Sequence, residues 1–232
     1  MTAGNETLLR LENVSRHYHQ GEQTIRALDR VSLQFSKGEF AALAGPSGSG
    51  KTTLLNVSVG LDRPTEGKIW IGKQEVTNMN RRELARLRLH EVGFVFQAFN
   101  LVPVLTAEEN AELILFLRGV PAQERKKTVL EVLHEVGLEG LEKRRPPELS
   151  GGQQQRVAVA RAIAARPSLV LADEPTANLD SESAVALLDL MARLNRDHSI
   201  TFLFSTHDPR VMEHARRVIH LVDGRVDRDE SK

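Results

Sequence analysis

Hydrophobic and polar residues alternate near the start of the chain, and short apolar runs separated by helical patterns follow. The alternation at residues 8–14 and 31–35 is typical of strands with one exposed face. Further strands are predicted at 40–43, 68–71, 94–96, 169–172 and 200–204, with a final pair around 218–226. Helical patterns are predicted at 51–59, 81–90, 152–165 and 182–195. Strands that alternate with helices imply an α/β fold with a mainly parallel sheet covered on both faces.

One stretch interrupts this alternation. From about residue 106 to 140, leucines and valines stand among Glu, Lys and Arg without any strand pattern. We interpret it as part of a helical lobe, at about 97–149, inserted into an α/β body formed by about 8–96 and 150–226. The whole chain, 1–232, is then a single domain with an antiparallel β region at its N-terminus.

The composition excludes several kinds of protein and of site. Lys plus Arg and Asp plus Glu both number 31, so no net charge recruits nucleic acid, and none is expected as a partner. The chain has no cysteine, which excludes disulfides and thiolate chemistry and fits a reducing compartment. No apolar run approaches the ~20 residues of a membrane helix, and residues 1–11 do not resemble a signal peptide. We therefore expect a soluble, cytoplasmic chain.

Residues 45–52, GPSGSGKT, fit the phosphate-binding pattern GxxxxGK[ST] between a predicted strand and a predicted helix. The glycines let backbone N–H groups surround phosphate oxygens, at the positive end of the following helix. Lys51 is expected to reach the β- and γ-phosphates, and the Thr52 hydroxyl to hold Mg²⁺. A chance match in a glycine-rich turn is the alternative, and the position of the segment argues against it. The predicted ATP-binding residues here are Gly45, Pro46, Ser47, Gly48, Ser49, Gly50, Lys51, Thr52 and Thr53.

A pair of carboxylates ends the predicted strand at 169–172. At the end of a parallel strand, Asp173 is expected to lie beside the phosphate loop and hold Mg²⁺. Glu174 is then placed to take the proton from an attacking water. Acidic residues after a strand are common on protein surfaces. The pair therefore indicates a catalytic site only in combination with the phosphate loop.

A second glycine-containing segment opens the helix predicted at 152–165. Its residues are Leu149, Ser150, Gly151, Gly152 and Gln153. A hydroxyl and free N–H groups at a helix start can form a second anion-binding site. Ser150 is equally suited to be an ordinary N-cap. The residues alone leave both interpretations open.

The string LSGGQQQR resembles the signature motif of ABC ATPases, and the other motifs of that family follow in order. Gln97 resembles the Q-loop glutamine that contacts Mg²⁺ and the attacking water. Asp180, in the string ANLD, resembles the D-loop aspartate that crosses a dimer interface. His207 resembles the switch histidine that contacts the γ-phosphate, and Tyr18 the aromatic residue stacked on adenine. The resemblance extends from about residue 8 to 226.

Two of these assignments have simple alternatives. A histidine after a strand, like His207, is more often a capping or surface residue. The run His17-Tyr18-His19 can also be a solvated loop or, less readily, a metal site.

The resemblance implies an ATPase that acts as a head-to-tail dimer, with the phosphate loop of one copy completed by the signature of the other. It implies ATP and Mg²⁺ as ligands, with Thr52, Asp173 and Gln97 at the metal. Glu174, Gln97 and His207 are the implied catalytic residues. The implied partners are a second copy of the chain and an integral membrane permease, on the inner face of the cytoplasmic membrane.

Strings at 60–67, 93–101 and 171–176 resemble the MacB/LolD/FtsE-type subgroup, which serves export, lipoprotein release or force transmission. Gln153, Ala177 and Ser205 depart from the usual residues of that subgroup. The alternatives are the ATPase of an importer for small polar solutes or, less favoured, a soluble ABC ATPase without a transport role. The permease contact is predicted around 98–109. Phe99, Leu101 and Val104 are its candidate apolar residues, unless they pack inside the lobe.

Overall fold

The structure is a computed structural model that describes residues 6–21 and 23–232. Strands and helices follow each other along almost the whole chain. In order, they are β1 (Thr7–Gln20), β2 (Gln23–Ser36), β3 (Phe40–Ala44), α1 (Lys51–Ser58), β4 (Glu66–Ile71), β5 (Gln74–Glu75), α2 (Arg81–Glu91), β6 (Val92–Phe96), α3 (Ala107–Leu117), α4 (Ala122–Glu135), α5 (Gly151–Ile163), β7 (Leu169–Asp173), α6 (Ser181–His198), β8 (Thr201–Thr206), α7 (Pro209–His214), β9 (Arg217–Val222) and β10 (Arg225–Ser231). A 3₁₀ turn at Pro146–Glu148 precedes α5.

The N-terminal part forms a four-stranded antiparallel sheet in the order β2-β1-β4-β5. Along β2, Val31, Leu33 and Phe35 are buried while the residues between them are exposed. This alternation is what a sheet with one covered face requires. The predicted antiparallel region is confirmed, and its first two strands are longer than the alternating segments indicated.

The second sheet has six strands in the order β10-β9-β3-β8-β7-β6. All neighbouring strands are parallel except β10, which runs antiparallel to β9. Strands β3 and β8 are buried along their entire length, because the sheet is covered on both faces. The prediction of an α/β fold with a mainly parallel core sheet is confirmed.

Side chains that alternate along the parallel strands supply two different hydrophobic clusters. Leu43, Leu171 and Leu203 join the cluster formed with α1, α2 and the antiparallel sheet. On the other face, Phe202 and Phe204 join the cluster formed with α3 to α7. The sheet is therefore the middle layer of the molecule, and its strand ends are held rigidly from both sides.

The segment that the sequence assigns to the lobe contains α3, α4 and the 3₁₀ turn. Buried residues of these helices, including Ala111 and Leu133, belong to the same continuous cluster as Phe202 of the sheet. Helix α5 lies between, since it contacts both α3 and β6. Helices α3 and α4 thus pack on the sheet through α5. Across the part of the chain that is described, no helix is long and apolar enough to span a membrane.

Candidate functional site

The phosphate loop connects the end of β3 to the start of α1. Gly45, Gly48 and Gly50 have φ values of 154°, 80° and 102°, which residues with a Cβ rarely adopt. A Cβ on Gly45 would lie 2.3 Å from the Leu221 carbonyl oxygen, and one on Gly50 would lie 2.4 Å from the Ala27 carbonyl oxygen. Glycine is therefore required at both ends of the loop, where it presses against neighbouring backbone.

The positively charged side chain of this loop, Lys51, points into the loop rather than into solvent. Lys51 is buried, and its Nζ donates to the carbonyl oxygens of Gly45 at 2.8 Å and Pro46 at 2.9 Å. The Ser49 hydroxyl is also buried and has no hydrogen-bond partner among the described residues. The tip of the loop, at Pro46 and Ser47, is exposed. An ammonium group inside a loop with an exposed glycine-rich tip fits the binding of a phosphate chain.

Asp173 meets the phosphate loop directly. It ends β7, and the Thr52 hydroxyl lies 3.1 Å from its Oδ1 and 3.2 Å from its Oδ2. A hydroxyl and a carboxylate oxygen are hard ligands of the kind that Mg²⁺ prefers beside phosphates. The donor set at this contact therefore fits the metal that the sequence predicts.

Glu174 follows in a strained conformation. Its φ is 47°, in the left-handed region, and its backbone N–H donates to the Ser205 carbonyl oxygen at 2.9 Å. Its Oε1 lies 2.8 Å from Nδ1 of His207. The Glu174 side chain is 16% exposed and that of His207 is 68% exposed. The structure thus brings together the predicted base and the predicted switch histidine at the carboxyl ends of β7 and β8.

Gln97 lies at the same edge of the sheet, because β6 pairs with β7 and Phe96 is opposite Asp173. Its side chain is exposed, and its carbonyl oxygen accepts a hydrogen bond from Nδ2 of Asn178 at 2.8 Å. Asp180 caps α6 by accepting from the Ser183 N–H at 2.9 Å. This backbone hydrogen bond lowers the pKa of Asp180. Through the Asn178–Gln97 hydrogen bond, the predicted Q-loop around Gln97 and the predicted D-loop at 177–180 are in contact within one chain.

Ser150 is the N-cap of α5. Its Oγ accepts from the Gln153 N–H at 3.3 Å, and Gln153 Oε1 accepts from the Ser150 N–H at 2.9 Å. Ser150 is exposed. Because capping uses the hydroxyl oxygen as an acceptor, its O–H stays available to donate to an anion. Capping and anion binding are compatible in this geometry.

Tyr18 is fixed by two residues that sequence reasoning missed. Its hydroxyl donates to Asp62 Oδ2 at 2.7 Å, and Arg16 Nε donates to the same oxygen at 2.9 Å. The Arg16 guanidinium carbon lies 4.3 Å from the centroid of the Tyr18 ring. Burial raises the pKa of Asp62, but the hydrogen bonds from Tyr18 and Arg16 outweigh it and the pKa is lowered. Nothing in the local pattern around Tyr18 indicates a partner 44 positions away.

An apolar groove lies between β6, α3 and α5. It has a volume of about 250 Å³. Among its lining residues are Phe94, Phe96, Ile114, Arg118, Arg161 and Ala162. None of the three apolar residues proposed for a permease contact lines it: Leu101 packs against the core, Val104 is 70% exposed and Phe99 is half-buried.

Comparison with known proteins gives a consistent picture. Residues 28–177 match the protein family described as ABC transporter. An uncharacterized ABC transporter ATP-binding protein of Methanocaldococcus jannaschii is 44% identical over 227 residues, covering 96% of this chain and 97% of that protein. The lipoprotein-releasing system ATP-binding protein LolD of Chromohalobacter salexigens is 43% identical over 227 residues, covering 98% and 96%.

Solved structures agree with these relatives. One of them is the dimeric, post-hydrolysis state of an ATP-binding cassette bound to ADP and Pi. It superimposes with a TM-score of 0.89 at 43% identity, covering 97% of this chain and 98% of that one.

Proposed function

The chain belongs to the ABC transporter family, and we propose that it is the ATP-hydrolysing subunit of an export, lipoprotein-release or force-transmitting system in a membrane. One observation carries the chemistry. The Thr52–Asp173 contact at 3.1 Å and the Glu174–His207 contact at 2.8 Å lie at one edge of the parallel sheet. This proximity supports a site in which the phosphate loop, a pair of metal-binding oxygens and a base act together.

ATP binding is assigned first to the phosphate loop. Its backbone N–H groups and Lys51 hold the β- and γ-phosphates, and the start of α1 directs its positive dipole end at them. Thr52, Asp173 and Gln97 are the residues that would hold Mg²⁺. When bound there, the metal neutralises charge on the phosphate oxygens.

Hydrolysis is assigned to Glu174. Its carboxylate accepts a proton from a water molecule whose oxygen attacks the γ-phosphorus. The bond to the bridging oxygen breaks, and ADP and phosphate leave. With its proton on Nδ1, His207 donates to Glu174 Oε1 and fixes the direction of that carboxylate. The left-handed turn at Glu174 keeps the side chain at the strand end.

The complete site is proposed to need a second copy. Ser150 is exposed, so its free O–H and the start of α5 can reach the nucleotide of another protomer. Two copies arranged head to tail would form two such composite sites. The dimeric form of a cassette 43% identical to this chain supports dimerisation. A monomer is then expected to bind ATP and hydrolyse it poorly.

The proposed membrane partner is a permease that docks in the apolar groove beside the Q-loop. Phe94, Phe96 and Ile114 supply apolar surface. Arg118 and Arg161 also line the groove, and neither forms an ion pair within residues 6–21 and 23–232. An apolar helical segment carrying an acidic residue complements this lining. Docking there would place the subunit on the inner face of the cytoplasmic membrane.

The test is to capture the partner. Tagged Glu174→Gln protein, which should retain ATP, is expressed in its host and recovered from detergent-solubilised membranes with ATP and Mg²⁺. Lys51→Met, which should not retain ATP, is the matched control. Mass spectrometry should find a permease with few membrane helices and a large extracytoplasmic domain. A solute permease with its binding protein would instead support the importer alternative, and DNA or ribosomes would contradict a transport role.

A further inference from the structure

The Q-loop, defined here as residues 96–100, is held from outside by side chains. Four of its carbonyl oxygens accept hydrogen bonds from side chains, and three of these four bonds come from α5. The pairs are Phe96 O with Gln155 Nε2 at 3.4 Å, Gln97 O with Asn178 Nδ2 at 2.8 Å, Phe99 O with Arg161 Nη2 at 2.9 Å, and Asn100 O with Arg161 Nη1. The loop that carries Gln97 is therefore attached to the helix that begins at Ser150.

Arg161 holds the strained part of this loop. Phe99 and Asn100 have φ values of 59° and 51°, so two consecutive residues with side chains adopt the left-handed conformation. Burial lowers the pKa of Arg161, and no carboxylate within the described residues forms an ion pair with it. Its fork of N–H groups instead donates to the two carbonyl oxygens of the strained turn. A desolvated charge thus maintains an unfavourable backbone conformation.

Gln155 contacts the backbone beside two of the three predicted catalytic residues, Gln97 and Glu174. It is fully buried, and its Nε2 donates to the Pro175 carbonyl oxygen at 2.7 Å as well as to that of Phe96. Pro175 follows Glu174, and Phe96 precedes Gln97. Its Oε1 has no hydrogen-bond partner among the described residues. A buried amide with an unpaired oxygen is unfavourable for stability alone, which indicates another role.

We propose that Gln155 and Arg161 are positioning residues through which α5 sets the positions of Gln97 and Glu174. The inference rests on the proposed function. Helix α5 starts at Ser150, which would engage the nucleotide held by a second copy. Any displacement of α5 on that engagement moves the Q-loop and the Glu174 turn of the same chain. Each composite site thereby responds to occupation of the other.

Amide hydrogen exchange tests the connection without any nucleotide. The variants are Gln155→Met and Arg161→Met. Their matched controls are Gln154→Met and Arg156→Met, because these residues lie on the same helix and donate to the Leu149 and Val136 carbonyl oxygens instead. Exchange at residues 97–100 should rise about tenfold in both variants, as expected when a buried hydrogen bond is lost. Gln155→Met should also raise exchange at 176–178, and neither control should do so.

Steady-state kinetics supplies the second measurement. In both variants kcat should fall about 10- to 100-fold, because small displacements of catalytic groups reduce the rate by this much. The Kd for ATP should change little. The Hill coefficient for ATP should fall towards one. If Arg161→Met does not fold, Arg161→Lys replaces it, since an ammonium group cannot reproduce the paired donation.

Two results would overturn the inference. One is parental kcat together with unchanged exchange in the Q-loop. The other is exchange that rises uniformly across the protein, with a lower Tm and parental kcat per folded molecule, which is the signature of a purely structural role. Failure of the proposed function is separate: the parental chain would hydrolyse no ATP, or would lose no activity on Glu174→Gln.

Discussion

The chain contains two glycine-bearing helix starts, and they are built differently. The first, at 45–53, has three glycines with positive φ and presses against the backbone at Ala27 and Leu221. The second, at 149–153, has neither of its glycines in that region. A Cβ on Gly151 would find its nearest neighbour at 3.7 Å. The first presses against surrounding backbone at Gly45 and Gly50, whereas the second leaves space at Gly151 and exposes Ser150.

The difference indicates a division of roles. A rigid loop with a buried ammonium group can hold phosphates without help. A helix start whose one exposed side chain, Ser150, offers a free O–H presents few donors and is useful when another molecule brings the anion to it. The structure therefore favours one autonomous nucleotide site and one complementing surface in each copy. Each of the following variants acts on one of the two regions or on residues of the site proposed beside the first.

The largest effect is expected beside the first region, on Glu174→Gln, because Glu174 follows the Asp173 that contacts Thr52. Turnover should fall about 10²- to 10⁴-fold, or about 3–5 kcal/mol of barrier, because the base is lost. ATP binding should persist, and the ATP-bound dimer should accumulate in size-exclusion chromatography. Glu182→Gln, an exposed acid in the first turn of α6, is the control. Parental ATPase activity in Glu174→Gln would disprove the assignment of the base.

The second-largest effect is expected when glycine is replaced by alanine in each of the two regions. Gly50→Ala should destabilise the protein by about 3 kcal/mol, since it combines a left-handed residue with a clash against backbone. Gly151→Ala should leave the free energy of unfolding unchanged or raise it by up to about 1 kcal/mol, because alanine favours a helix. Urea unfolding measures both. Equal destabilisation by the two substitutions would remove the distinction between a helix start that presses against backbone and one that leaves space.

Much of the fold was predictable from the sequence. Strands β3, β7 and β8 are buried on both faces, so they show as uninterrupted apolar runs. Helix α7 and strand β5 were missed because six and two residues are too short for a periodic pattern. The 3₁₀ turn, at Pro146-Pro147, is likewise defined by local geometry rather than by period.

The candidate site was predictable where one segment carries the pattern, as at Lys51 and Thr52. It was not predictable where the contact joins distant segments. Arg161 reaches a carbonyl oxygen 62 positions away, and Gln155 one 20 positions away. Their apolar neighbours on α5 predict a buried helix, and only the packing shows which loops these polar groups hold. The roles of the site residues remain predictions that the variants test.

A smaller effect is expected at the second region, on Ser150→Asp. Aspartate caps helices about as well as serine, so the free energy of unfolding should change by less than about 0.5 kcal/mol. Its charge would repel a phosphate brought by a second copy, so ATP-driven dimerisation should weaken at least about tenfold. Asn80→Asp, the same kind of change at the cap of α2, is the control. Dimerisation as strong as that of the parent would mean that Ser150 is only a cap.

The smallest effect is expected at the adenine side of the first region, where Asp62 holds Tyr18. Tyr18→Phe keeps the ring and loses the hydrogen bond, and Asp62→Ala removes the shared acceptor. Each should weaken ATP binding by about 1 kcal/mol. The double variant should lose less binding free energy than the sum of the losses in the two single variants. Isothermal titration measures the cycle. Full additivity would show that Asp62 does not position the ring.

The hydrogen bonds that Asp62 accepts from Tyr18 and Arg16 have a defined pH dependence. The pKa of Asp62 is lowered in the folded state, so its contribution to stability is present above the unfolded pKa and disappears as pH falls through the folded pKa. Tyr18 is the only tyrosine in the chain, and a fluorinated tyrosine label therefore gives one resonance. That resonance should change in solution more acidic than about pH 5. Because Asp62→Asn removes the ionisable group, its resonance should lack the acidic transition. An identical transition in Asp62→Asn would mean that the ring reports general acid unfolding. The hydrogen bonds to Asp62 would then not be what holds Tyr18 in place.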